Sequence, residues 1–156
     1  MGAELNAMSV DHAARVGSLS IWRQLYAMVW LAFLQILIIL ESRIPVLGSY
    51  LVYGHVFLGL VILGLAHYNN AQIKKTEAPN RLKRIAKSTA ILATIQPIFG
   101  VILLVNLMLS SAIPLVGILV GIVLFLHIIT ALAIITQASS VATAYDMWEE
   151  KEYTKT

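Results

Sequence analysis

Three histidines, His55, His67 and His127, lie within or at the edge of long apolar runs in this 156-residue chain. Imidazole changes its charge near neutral pH and is the commonest side-chain ligand for transition metals. In a bilayer such a ring is costly, so it faces a bundle interior, binds something or passes protons. The chain has no cysteine, which removes disulfides, thiolate metal sites and iron–sulfur clusters. Histidine is the strong transition-metal ligand that remains.

The elements that must position these rings are apolar helices. Hydrophobic residues make up 59% of the chain and charged residues 12%, with a mean hydropathy of +0.82, against about 45–50% apolar residues in soluble domains. Four runs are long enough to cross a hydrocarbon layer, which takes about 20 residues each. They cover about 21–40, 46–68, 88–109 and 115–138. Pro97 and Gly100 are expected to kink the third. A polar segment, 1–20, lacks a cleavable signal pattern, and a polar, helix-compatible tail, 141–156, follows the four-helix domain at 21–140.

Charge placement orients the spans. Six of the eleven cationic residues (Lys74, Lys75, Arg81, Lys83, Arg84 and Lys87) fall within fourteen positions. Between two apolar spans this run reads as a cytoplasmic loop over 71–87 obeying the positive-inside rule, with membrane lipid rather than nucleic acid as its partner. The outer connections, 41–50 and 110–114, hold Arg43 as their sole cation. The expected architecture is therefore an all-α, up-down-up-down membrane bundle with both termini cytoplasmic and helices two and four parallel.

On that topology His55 lies nine residues into the second span, about 14 Å deep, and His127 twelve residues into the fourth, about 18 Å deep. Two neutral imidazoles at matched depth on facing helices suit the axial ligation of a haem, or of another metal. Gly59 follows His55 by one turn and Ala131 follows His127, leaving ring-sized gaps. The competing reading is that each histidine hydrogen-bonds a polar neighbour such as Gln35, Gln96, Asn106 or Thr130. His67 belongs to the inner interface, with Thr136, Gln137 and Ser139 at its depth. Arg43 could meet an acidic ligand group at the outer face, or pair with Glu41 to end the first span. Gly54, Gly59 and Gly64, with Gly117 and Gly121, allow close helix packing. A faint repeat is visible: Leu34-Gln35 and Ile95-Gln96 each precede an Ile-Pro pair and a histidine-bearing span, with Gln-to-His spacings of 20 and 31 residues.

Gln96-Pro-Ile-Phe-Gly100-Val, Ile113-Pro-Leu-Val and Leu126-His127-Ile-Ile-Thr-Ala131 resemble the haem A synthase family of cytochrome oxidase assembly, over roughly residues 30–140. The resemblance implies a half-size, four-helix member in a prokaryotic cell membrane. His55 and His127 would be axial ligands of b-type haem or haem O/A, and Gln35 and Gln96 the family's recurrent glutamines. Arg43 would be its outer-face arginine. The family's catalytic half carries a glutamate three residues before the first histidine and an arginine just after it. Val52 and Val56 stand there in this chain, and the outer-loop cysteine pair is absent. The resemblance thus implies the haem-holding half, linked to haem A biosynthesis or oxidase maturation, with no catalytic residue assigned. The alternative is a non-enzymatic subunit of a respiratory terminal oxidase or supercomplex, carrying b-type haem for electron transfer or purely structural. Its partners would be oxidase subunits or a second copy of the chain.

Overall fold

The computed structural model describes residues 2–41, 48–109 and 114–153. They form α1 (Gly2–Glu41), α2 (Gly48–Lys75), α3 (Asn80–Leu109) and α4 (Pro114–Tyr153). Each contains a stretch long and apolar enough to cross a bilayer. A chain of this composition has little choice, since lipid offers no hydrogen-bond partners and the backbone must satisfy itself. Large apolar side chains accordingly point outward all round: Trp30, Tyr50, Phe57 and Phe125 are each more than 60% exposed. The molecule is a membrane helical bundle.

Helices run further than the apolar pattern indicated. The basic segment expected as a loop over 71–87 is helical except for a turn at 76–79. Lysine and arginine are good helix formers, so the helices continue past the hydrocarbon. Lys74 and Lys75 also sit favourably at the negative end of α2. Thr76 closes that helix, its hydroxyl donating to Ile73 O at 2.8 Å and accepting from Ala78 N–H at 3.3 Å. Pro79 O then receives Leu82 N–H and Lys83 N–H to begin α3. Pro97 lies inside α3 without ending it. The polar stretch before residue 21 is likewise helical and continuous with α1.

Each helix packs against two others: α1 on α2 and α4, and α3 on α2 and α4. The diagonal pairs α1/α3 and α2/α4 make no Cα approach within 8 Å among the described residues. Gln35 pairs with His55 while Met28 pairs with Asn69, so α1 and α2 run in opposite directions. Gln96 with His127 and Thr89 with Gln137 establish the same for α3 and α4.

Burial is confined to one half of the bundle. Every buried residue described lies within 21–32, 62–73, 78–93 or 134–145. One cluster gathers Ile21, Leu25, Ile73, Leu82, Val141 and Tyr145; the next layer is built on Ala32, Ala66, Ala90, Ala93 and Ala138 with Met28, Ile62 and Ile134. Alanine lets helix backbones approach closely where no hydrophobic effect drives them together. Tyr145, in the polar tail by sequence, is 1% exposed and meets Trp148 at a tilt of 58° with ring centroids 5.5 Å apart. Between the layers a cavity of about 10 Å³ is bordered by Asn69, Asn70 and Thr89. Beyond Ala32, Ile62, Ala93 and Ile134 the helices continue with no buried residue among those described. His55 and His127 stand in that looser half.

Candidate functional site

His55 on α2 and His127 on α4 face one another across the bundle diagonal, ring centroids 6.3 Å apart and planes inclined by 54°. Both are half-buried. The backbones of the two helices that carry them come no closer than 8 Å between Cα atoms among the described residues, so the rings span the space between them.

Each histidine backbone is tied to the preceding helix by a glutamine. Gln35 Nε2 donates to His55 O at 2.9 Å, and Gln96 Nε2 donates to His127 O at 3.0 Å. The repeat read in the sequence therefore has a physical counterpart: one glutamine-to-histidine-carbonyl bond in each hairpin. Gly59 makes the first of these possible. A Cβ there would stand 3.2 Å from Gln35 Nε2, closer than most side-chain contacts, so the gap one turn below His55 is filled by the Gln35 amide. Ala131 holds the equivalent place on α4 and is half-buried.

The rings themselves are held differently. His55 Nδ1 lies 3.2 Å from Gln35 O. A carbonyl can only accept, so Nδ1 carries the proton and Nε2 keeps its lone pair. His127 Nδ1 is buried and has no partner. Its Cε1 lies beside Gly100 of α3, where an added Cβ would make an ordinary contact at 3.5 Å. Gln35 Oε1 and Gln96 Oε1 are also buried without partners. An unsatisfied buried polar atom costs about 1–3 kcal/mol; these three lie around the ring pair, and Asn69 Oδ1 and Asn70 Oδ1 in the packed half are likewise without partners.

His67 does not join this pair. Its Nε2 lies 2.9 Å from Thr94 Oγ1 on α3, at an exposed position. The α4 groups expected beside it, Thr136, Gln137 and Ser139, are on the diagonal helix. Thr136 Oγ1 donates to Leu132 O in its own helix and Gln137 accepts from Thr89. Arg43 lies outside the described residues, as do the connections at 42–47 and 110–113. Among the described residues no group of three or more His, Cys, Asp or Glu side chains is placed to hold a metal ion. Sequence reasoning missed Gly100 and the ring-to-carbonyl bond of His55; a backbone acceptor leaves no mark in residue identities.

No family model matches the chain, and neither a curated protein nor a solved structure matches it.

Proposed function

We propose that this chain is a haem-binding integral protein of a prokaryotic cell membrane, with His55 and His127 as axial ligands. The observation that carries the reading is the 6.3 Å between ring centroids. Imidazole–metal bonds of about 2.0–2.1 Å, with roughly 1 Å more from nitrogen to ring centre, put two rings on opposite sides of one metal about 6 Å apart. Two further features support it. His55 and His127 would supply two ligands, with no third His, Cys, Asp or Glu beside them among the described residues, and a porphyrin would supply the others. The surrounding half of the bundle has no fully buried residue among those described, which leaves its apolar side chains available to a large flat apolar group. Haem iron supplies reversible one-electron chemistry when bound.

The chain's own contribution is to hold and orient. Gln35 and Gln96 fix the backbones bearing the ligands, and the Gln35 carbonyl sets the His55 tautomer with Nε2 available. In membrane terms, the proposal places the 76–79 turn and both termini in the cytoplasm, with the helices up-down-up-down. Against the haem A synthase resemblance, Val52 leaves no carboxylate at the expected reacting position, so the role is haem holding, in oxidase maturation or haem A formation. Reduced-minus-oxidised spectra of the purified protein test this. A low-spin haem signal is expected; a colourless protein from haem-replete cells, still colourless after haemin titration, overturns it.

A further inference from the structure

The two candidate ligands are built into the bundle unequally. His55 is anchored at both levels: its carbonyl accepts from Gln35 Nε2, and its ring donates from Nδ1 to Gln35 O. His127 is anchored at one: its carbonyl accepts from Gln96 Nε2, but its ring Nδ1 has no partner. Against α3 the His127 ring meets Gly100, a residue with no side chain to wedge it. On α4 the residues beside it, Leu126 and Ile128, point outward.

A hydrogen bond to the distal nitrogen of a ligating imidazole fixes its orientation and raises its basicity, and loss of such a partner typically weakens metal affinity about 10- to 100-fold. The same bonds hold a ring in place when its metal bond is broken. The difference between the two rings is therefore a difference in both strength and freedom of movement.

We propose that His55 is the permanent ligand of this site and His127 an exchangeable one, so that a small neutral ligand of the carbon monoxide, dioxygen or imidazole class binds in place of His127. The proposal rests on the haem reading above and adds a direction to it: exogenous ligands enter on the α4 side. Anchoring both rings would favour a six-coordinate site, whereas a single anchored ring leaves the other position open to exchange.

The test uses full-length protein purified with its haem, reduced and exposed to carbon monoxide, alongside His127→Ala and His55→Ala. Wild type is expected to form a carbon monoxide adduct. His127→Ala is expected to keep haem in a five-coordinate, high-spin state and to bind carbon monoxide faster than wild type. His55→Ala is expected to bind haem about 10- to 100-fold more weakly than His127→Ala. Adding free imidazole to His127→Gly is expected to restore the six-coordinate spectrum, and not to do so for His55→Gly. Far-ultraviolet circular dichroism and gel filtration of each variant separate loss of haem from loss of fold. If a variant is misfolded, carbon monoxide binding by wild type decides. A haem-loaded wild type inert to carbon monoxide, or equal haem loss from folded His55 and His127 variants, overturns the inequality while leaving haem binding intact. Absence of haem from wild type overturns both.

Discussion

At the end of the bundle nearest the 76–79 turn, four helices meet through alanines, and Ala138, Tyr145 and Ile73 are almost wholly shielded. At the histidine end the same four helices meet through two glutamine amides and a pair of facing rings, with no buried residue described. One half spends its sequence on cohesion. The other keeps its glutamines and rings only half-buried, a departure from close packing of the kind expected at functional sites. Fold and site are thus segregated along the bundle axis, and mutations should sort accordingly.

Tyr145→Ala should show the largest effect. It removes a buried aromatic from the cluster joining all four helices, and truncations of that kind cost about 3–5 kcal/mol. Thermal unfolding in detergent should fall steeply, and a shift of a degree or less would dissolve the contrast between the ends. Ala138→Leu comes next. With Ala138 fully buried among close-packed helices, the added atoms should destabilise by about 1–3 kcal/mol through overpacking. In the open half, Gly59→Ala is expected to displace the Gln35 amide and remove one hydrogen bond, worth about 0.5–1.5 kcal/mol. Its clearer readout is a change in the His55 ring environment by imidazole NMR, and an unchanged ring signal would show the clamp to be dispensable. Gly121→Ala should do least. A Cβ there meets nothing within 4 Å, so stability should hold or rise by up to about 1 kcal/mol through helix propensity; a loss would mean that this face is covered.

The sequence made the tight and loose halves legible to different degrees. Four apolar runs sufficed for four membrane helices, because hydropathy reports the lipid-facing surface directly. It says little about polar helix, which is why the stretch before residue 21 and most of 71–87 read as something other than the helices they form. The pairing of His55 with His127 followed from depth, a quantity that residue counting measures well at a fixed rise per residue. Partners in the transverse direction were harder. Depth put Thr136, Gln137 and Ser139 of α4 level with His67, but the ring bonds Thr94 of α3, because depth does not reveal which helices are neighbours and which are diagonal. The inequality of the two rings was out of reach, since it turns on the backbone carbonyl of Gln35.

One consequence follows from where the histidines sit in the chain order. His55 belongs to the hairpin of α1 and α2, His127 to that of α3 and α4, and among the described residues their helices make no Cα approach within 8 Å. A ligand gripped by both rings is then a strap across the seam between two halves, and its binding free energy becomes free energy of assembly. By mass action, ligand at about 100 times its dissociation constant adds about 2.7 kcal/mol to the stability of whatever form can bind it. Neither hairpin alone offers both rings. Occupancy of the site would report that the two halves have docked, making the colour of the protein a gauge of its own construction.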